Sequence, residues 1–212
     1  MKSTLITFAV RDEAAPFLRH GVVVVDHLIT HIGKVAAARA MESYLQTKRP
    51  ELVLTCGFCG GLNPELKSGD VVYATLDGAL GEILAAAGLP RVKFYSSDRI
   101  IITAEEKRKA RESSGCDAVE MESGAISSIC RRENIPVATV RVISDTANED
   151  LPIDFNRVTG VDGRLQFSGL ALSIAAAPWK IPALIRLGKS SNMAASQLAR
   201  VLNELLPRLG AD

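Results

Sequence analysis

Residues 123–145 read S-G-A-I-S-S-I-C-R-R-E-N-I-P-V-A-T-V-R-V-I-S-D, and the fold prediction rests on this stretch. Its first part, residues 123–132, is predicted to be a helix that ends shortly before a proline. Its second part, residues 137–143, is a β-branched run that predicts a buried strand, with Asp145 just beyond its carboxyl end. A helix followed directly by a buried strand is the repeating unit of an α/β sheet.

The same alternation extends along most of the chain. Predicted strands cover residues 5–10, 52–55 and 99–103, and predicted helices cover residues 35–48 and 103–113, the latter opened by the capping box T-A-E-E. We therefore predict an α/β fold: one domain over residues 1–212, with three α/β/α layers around a central mixed sheet. Ligands of such sheets bind where loops leave the carboxyl ends of the strands.

Charge and composition exclude several classes of protein. The chain has 25 Lys plus Arg against 24 Asp plus Glu, so it lacks the cation surplus of a nucleic-acid-binding groove. Its hydrophobic fraction of 47% is typical of a globular domain rather than a disordered one. No apolar stretch is long enough for a secretory signal or a membrane span. We expect a cytoplasmic protein with reduced thiols.

Four carboxylates occur at or near the ends of predicted strands. They are Glu13, Glu120, Glu122 and Asp145. A carboxylate at the exit of an apolar strand is partly desolvated, which raises its pKa and suits it to acid–base chemistry near neutral pH. The alternative for each residue taken alone is a helix cap or a solvated turn.

The cysteines predict neither a redox centre nor a metal site. Cys56 and Cys59 match C-x-x-C, but two glycines follow them, which is a poor start for the helix that thioredoxin-like chemistry needs. The other two thiols, Cys116 and Cys130, are too far apart in sequence to supply the second ligand pair of a zinc site. We expect a glycine-rich loop at residues 57–61 that approaches a ligand closely.

Taken in chain order, five segments resemble the purine nucleoside phosphorylase and uridine phosphorylase superfamily. They read A-V-R-D-E at residues 9–13, I-G-K-V-A-A-A at 32–38, G-F-C-G-G-L-N-P-E-L-K-S-G-D-V-V at 57–72, V-E-M-E-S-G-A-I at 119–126 and R-V-I-S-D-T-A-N at 141–148. The nearest branches resemble the methylthioadenosine/S-adenosylhomocysteine nucleosidases and the hopanoid-associated phosphorylases. D-G-R-L at residues 162–165 is most similar to the second of these branches.

The resemblance implies cleavage of the N-glycosidic bond of a purine nucleoside. By motif position, Asp145 would be the general acid towards the purine, Glu122 would bind the ribose hydroxyls, and Glu13 would activate water. The resemblance further implies a nucleoside phosphorylase-like fold, no cofactor and a homo-oligomer, either a dimer or a larger assembly. The substrate-binding residues that it implies are Met121, Glu120, Ser144, Cys59, Gly60, Phe58, Ile100 and Ile101.

The sequence departs from the family where phosphorylases bind phosphate. The arginine and serine that phosphorylases commonly carry are replaced by Thr55 and Phe58, and Phe58 cannot donate a hydrogen bond to phosphate. Together with the retention of Glu13, this favours water as the nucleophile. Phosphorolysis, with phosphate as a co-substrate, is the alternative, and a nucleoside-binding module without turnover is a second one.

Two further departures concern the substrate. Ile100 occupies the place of the family's aromatic stacking residue, so stacking on the base is weakened. Residues 21–30 and 76–93 are shorter than in the nucleosidases, which would open the 5′ side of the sugar to a bulky lipid substituent such as a hopane. Trp179 could line that side, but we expect it to pack in the core. The C-terminal residues are predicted to form helices broken by Pro178, Pro182 and Pro207.

Overall fold

The computed structural model describes residues 3–20, 25–160, 163 and 177–210. Seven strands run over β1 Thr4–Phe8, β2 Asp26–Ile29, β3 Leu52–Gly61, β4 Val71–Thr75, β5 Phe94–Ser96, β6 Ala118–Glu120 and β7 Val137–Asp145. Within the same described residues, six helices run over α1 Arg11–His20, α2 Lys34–Leu45, α3 Gly78–Ala86, α4 Ala104–Ser114, α5 Ser123–Arg132 and α6 Ile181–Leu209. Short 3₁₀ turns cover Phe155–Arg157 and Pro178–Lys180.

The strands form one mixed sheet with β3 at its centre. β3 pairs in parallel with β1 along its first half and with β7 along nearly its whole length. Its last two residues pair antiparallel with β6, and β4 pairs antiparallel with β7. The predicted mixed sheet is confirmed, and the end of β3 is the place where β6 and β7 meet.

Helices cover both faces of this sheet, as predicted for three layers. On one face, α1, α3 and α6 pack on the sheet through a large apolar cluster that includes Phe17, Leu84 and Leu198. On the other face, α2 and α5 pack through Met41 and Ile126. The alternation of the strands explains this arrangement, because successive side chains of a strand point to opposite faces.

The predicted glycine-rich loop at residues 57–61 is wrong. These residues continue β3, because residues 57–60 pair with β7, and Gly60 and Gly61 pair with β6. Gly57 has φ of 142°, and a Cβ there would lie 2.6 Å from Oε1 of Glu13 and 2.7 Å from Nη1 of Arg141. Glycine is therefore required at this position so that two charged side chains can approach the strand.

Two further predictions of secondary structure differ from the structure. Residues 99–103 form no strand, since their main-chain groups bond to side chains rather than to a neighbouring strand. The C-terminal prolines do not break α6: Pro182 lies in its first turn, where no N–H is needed, and Pro207 lies in its last turn. The capping box at Thr103 and Glu106 is confirmed. Across the described ranges, we find no helix with the length and apolar character needed to cross a bilayer.

Candidate active site

A cavity of about 600 Å³ opens at the end of the sheet where β1, β3, β6 and β7 converge. All eleven residues assigned from the sequence lie in its wall: Glu13, Phe58, Cys59, Gly60, Ile100, Ile101, Glu120, Met121, Glu122, Ser144 and Asp145. The carboxylates reach it from different directions, because β6 runs antiparallel to β3 while β7 runs parallel to it. The wall is completed by the first half of α6 and by the loop before α4.

Arg141 lies buried behind this wall. No role was predicted for it from the sequence. Its Nη2 donates to Oε2 of Glu120 at 3.1 Å, to Oε2 of Glu122 at 3.2 Å and to the Thr55 hydroxyl at 3.3 Å. A guanidinium with five donors in a fixed fork is suited to holding several carboxylates at once. One signal for it was present in the sequence, since a lone cation inside a β-branched buried strand needs buried counter-charges.

Glu13 is held by the main chain in the first turn of α1. Its Oε2 accepts from the N–H groups of Ala9 and Val10 at 2.8 and 3.1 Å, and its Oε1 accepts from the N–H of Phe58 at 2.7 Å. Burial raises the pKa of Glu13, and Arg141 and these three donors oppose that rise. A carboxylate has about four acceptor positions, so three donors leave room for one more, such as a water.

Glu122 lies between β6 and α5, directly before the first residue of that helix. Its Oε1 accepts from the N–H of Gly33 at 2.9 Å, and this contact joins the turn before α2 to the site. Burial, with a smaller contribution from Glu120, raises the pKa of Glu122 to about 7 in spite of Arg141. Its charge can therefore change near neutral pH, and the neutral and charged forms offer a ligand different hydrogen bonds.

Asp145 is fixed on both of its oxygens at the end of β7. Its Oδ1 accepts from the Ser144 hydroxyl at 2.6 Å, and its Oδ2 lies 2.6 Å from Nζ of Lys107. Lys107 is fully buried and also donates to the main-chain oxygens of Thr146 and Glu149, each at 2.7 Å. The ammonium has three donors and all three are used, so it holds the aspartate in one position. Lys107 was not among the site residues predicted from the sequence.

The loop before α4 is held by Asn156 rather than by strand pairing. The Asn156 side chain accepts from the N–H of Ile100 at 2.8 Å and donates to its C=O at 2.9 Å. Glu106 accepts from the N–H of Ile102 at 2.9 Å. Among the described residues, neither the N–H nor the C=O of Ile101 has a partner. These two main-chain groups are available to the edge of a flat ligand in the cavity.

The charges of the cavity wall are mostly negative. It carries five carboxylates: Asp12, Glu13, Glu120, Glu122 and Asp145. Within the described part of the chain, Arg99 is the only Lys or Arg in the wall, and it is already paired with Glu106 at 2.7 Å. Thr55 is fully buried in β3 and bonds to Arg141. Lys107 and Arg141, which lie behind the wall, are also paired, with Asp145 and with Glu120 and Glu122, so none of these described cations is free to bind a phosphate dianion.

The side of the cavity formed by the first two turns of α6 is apolar, and the next turn contributes the polar residues Ser191 and Asn192. Leu184 and Leu187 line this side, together with Gly188, which follows Leu187 directly. The prediction that Trp179 packs in the core is wrong, since this residue is 73% exposed, and it does not line the cavity either. The cause is its position in the 3₁₀ turn before α6, outside the part of that helix that contacts the sheet.

The two cysteines of C-x-x-C are buried free thiols. Burial raises the pKa of both Cys56 and Cys59 well above the usual range of a thiol. Thiolate chemistry is therefore disfavoured at both positions. The described residues contain no cluster of three or more His, Cys, Asp or Glu side chains that could hold a metal ion.

Solved structures with the same fold are enzymes that act on nucleosides. Futalosine hydrolase of Helicobacter pylori superposes with a TM-score of 0.72 at 17% identity, covering 98% of each chain. The methylthioadenosine/S-adenosylhomocysteine nucleosidase of Neisseria meningitidis, in complex with methylthio-immucillin-A, gives 0.70 at 20% identity over 98% of this chain and 100% of that one. The Helicobacter pylori nucleosidase with butyl-thio-DADMe-Immucillin-A gives 0.71 at 18% identity over 98% and 99%. At these identities the likeness establishes the fold.

The family itself is established by a match along the sequence. The family model described as phosphorylase superfamily matches residues 17–79 and 73–176, which is well over half of the 212-residue chain. This agrees with the resemblance carried by the five motifs and with the mixed sheet. The chain belongs to the phosphorylase superfamily.

Proposed function

We propose that the protein hydrolyses the N-glycosidic bond of a purine nucleoside, a 5′-modified adenosine, and releases the base. The observation that carries the proposal is the placement of Asp145, held by Lys107 and Ser144, in the same cavity as Glu13 and Glu122. Cleavage of this bond needs an acid for the leaving base and negative charge near the cation-like sugar. The cavity provides carboxylates for both.

The reaction would proceed with the following roles. Asp145 first takes up a proton on Oδ1, for which the Ser144 hydroxyl turns to the main-chain oxygen of Cys59, and it gives this proton to the purine ring as the bond from C1′ to the base breaks, so the base leaves as a neutral molecule. Water adds to C1′ and its proton passes to Glu13, which has one acceptor position left. Glu122 accepts from the ribose hydroxyls, and Met121 packs against the sugar. Proton transfer from Glu13 back to Asp145 through solvent restores the starting state.

The free main-chain groups of Ile101 would recognise the base. An adenine edge presents a donor and an acceptor side by side, which complements one C=O and one N–H. With Ile100 in place of an aromatic residue, these hydrogen bonds rather than stacking would orient the ring. Asn156 acts here as a support because it fixes both main-chain groups of Ile100.

Hydrolysis is favoured over phosphorolysis by the pairing of the cations at the site. Among the described residues, the cations at the site are already paired, Arg99 with Glu106 and Lys107 with Asp145, so neither is free to bind phosphate, whereas water needs no cation. Arg141 does not compensate for this, because Glu120 and Glu122 already use its Nη2. Phosphorolysis remains the alternative proposal on the strength of the family resemblance.

The apolar side chains of α6 in the cavity favour a substrate with an apolar 5′ substituent. An adenosylhopane-like lipid is the bulkiest substituent of this kind that we propose. Leu184 and Leu187 would contact this group where it leaves the sugar. Each methylene that becomes buried should raise kcat/KM by up to about fourfold, which corresponds to about 0.8 kcal/mol. A charged 5′ group would gain nothing from these side chains.

A panel of adenosines with 5′ groups of increasing alkyl length tests this substrate class. We expect adenine release, followed by mass spectrometry, to become more efficient with chain length until the apolar wall is covered. Leu184→Ser should flatten the dependence while leaving unmodified adenosine cleaved at its original rate. A preference for a 5′-phosphate, or equal rates for all lengths, would refute the apolar substituent, and binding without any release would favour the module without turnover.

A further inference from the structure

An apolar patch lies exposed beside the mouth of the cavity. Its members are Trp179, Ile181 and Ile185, which are 73%, 40% and 54% exposed, and we call them the rim patch. Ile181 and Ile185 are four residues apart and so share one stripe of α6. The neighbouring stripe holds Leu184 and Gly188, which line the cavity. The exposed surface thus continues the apolar wall of the site to the outside.

The segment that carries the rim patch contains cations and no acidic residue. Lys180, Arg186 and Lys189 are exposed, and none of them forms an ion pair within the described residues. Residues 177–203 contain no Asp or Glu at all, although the whole chain is balanced at 25 cations to 24 anions. An excess of positive charge is therefore concentrated at one end of α6.

We propose that the rim patch and its three cations dock the protein on an anionic lipid bilayer surface. A tryptophan with isoleucines beside it, bordered by Lys and Arg, is the composition of segments that insert apolar side chains below anionic headgroups. The cations would contact the headgroups, while Trp179 and the isoleucines would enter the interface. Docking in this way places the cavity mouth against the membrane.

A second copy of this chain is the competing occupant, and the charges argue against it. A two-fold interface presents the same patch from both subunits. Lys180, Arg186 and Lys189 of one copy would then face the same three cations of the other, with no acidic residue in the segment to compensate. An anionic lipid surface supplies the opposite charge that the patch lacks.

The docking surface goes beyond the cleavage reaction and is independent of it. Base release from a water-soluble nucleoside needs only the cavity, so vesicle binding and catalysis fail or succeed separately. If the substrate carries a lipid at its 5′ end, docking gives that substrate a direct route from the bilayer into the apolar side of the cavity.

Trp179 is the single tryptophan of the chain, so its fluorescence reports on the rim patch alone. We expect its emission to shift to the blue with vesicles of equimolar phosphatidylglycerol and phosphatidylcholine, and the protein to sediment with them. Vesicles of phosphatidylcholine alone should give a much smaller shift, and added salt should weaken binding because it screens the headgroup charge. Absence of the shift with the anionic vesicles would overturn the proposal.

Two triple variants distinguish binding through the rim patch from a general effect of the net positive charge of the protein. The triple variant Lys180→Gln, Arg186→Gln, Lys189→Gln should bind anionic vesicles about 100-fold more weakly, at about fivefold for each cation. The matched triple Arg108→Gln, Lys109→Gln, Arg131→Gln has the same net charge and should stay within about twofold of the unmodified chain, because each surface cation away from the membrane contributes little. Equal loss in both triples would contradict docking at this patch.

The apolar part is tested with Ile181→Ser, Ile185→Ser, which keeps Trp179 as the probe. This variant should lose the blue shift, whereas Leu76→Ser, at a side chain 80% exposed elsewhere, should keep it. A blue shift that grows with protein concentration without vesicles, together with a dimer in sedimentation velocity that the double variant abolishes, would instead assign the patch to a second copy. If a variant fails to fold, the salt and lipid dependence of the unmodified chain still decides.

Discussion

Asp145→Asn is expected to lower kcat for base release about 10³-fold while the nucleoside still binds. The amide has the size of the carboxylic acid but cannot give up a proton to the purine, so the loss falls on the chemical step. The amide oxygen of the asparagine can still accept from Lys107, whose Nζ lies 2.6 Å from Oδ2 of Asp145 in the unmodified protein. Single-turnover rates and direct measurement of substrate binding separate the two effects.

Asp77→Asn is the matched control for this variant. Asp77 caps α3 by accepting from the N–H of Leu80 at 2.9 Å, and asparagine caps a helix about as well as aspartate does. Its activity and thermal stability should therefore remain at the level of the unmodified protein. Full turnover in Asp145→Asn would refute the assignment of the acid. If the variant loses both substrate binding and its folded structure, Asp145 has a structural role only.

Arg141→Met is expected to destabilise the protein by about 3–5 kcal/mol, because it leaves Glu120 and Glu122 buried without their cation. The side chain is 1% exposed, so solvent cannot replace the lost charge. Arg141→Lys should recover part of this loss, since one ammonium cannot bond to several carboxylates with the geometry of a guanidinium. Arg131→Met, on the exposed side of α5, should change stability by less than about 0.5 kcal/mol.

The loss of stability in Arg141→Met should depend on pH. Arg141 lowers the pKa of Glu13 and Glu122, so its removal raises both folded-state pKa values further above that of a solvent-exposed glutamate. The folded variant then holds protons that the unfolded chain has released, and its free energy of unfolding falls as pH rises. Urea unfolding at pH 5 and pH 8 should therefore show the larger deficit at pH 8. An equal deficit at both values would contradict the buried carboxylate cluster.

The fold and the identity of the wall residues could be predicted because their signals are local. Short β-branched runs such as residues 137–143 bury both faces and alternate with helical spacing, and this pattern needs no knowledge of distant contacts. Glu13 and Asp145 stand next to such runs, and the motifs around them resemble a known family. All eleven residues predicted for the site lie in one cavity wall, while their roles remain proposals.

The supporting residues could not be predicted, because their partners are far away in sequence. Lys107 lies on a polar helix that looks solvent-exposed, yet it is fully buried against Asp145, 38 residues later. Asn156, which is 56 residues further along the chain, bonds to the main chain of Ile100. Because a side chain takes the place of a strand partner there, residues 99–103 form no strand, although their β-branched residues predict one. The glycines at residues 57–61 led to the wrong prediction of a loop. Their place in β3 depends on pairing with β7, which is about 80 residues further along the chain.

The mass of the sugar product, measured with and without phosphate, tests the central claim most directly. With an adenosine that carries an apolar 5′ group, in water enriched in ¹⁸O and with immediate reduction of the product, we predict a free sugar with one ¹⁸O at C1. We also predict the same rate of adenine release whether phosphate is present or not. A sugar 1-phosphate, or adenine release only in the presence of phosphate, would contradict hydrolysis.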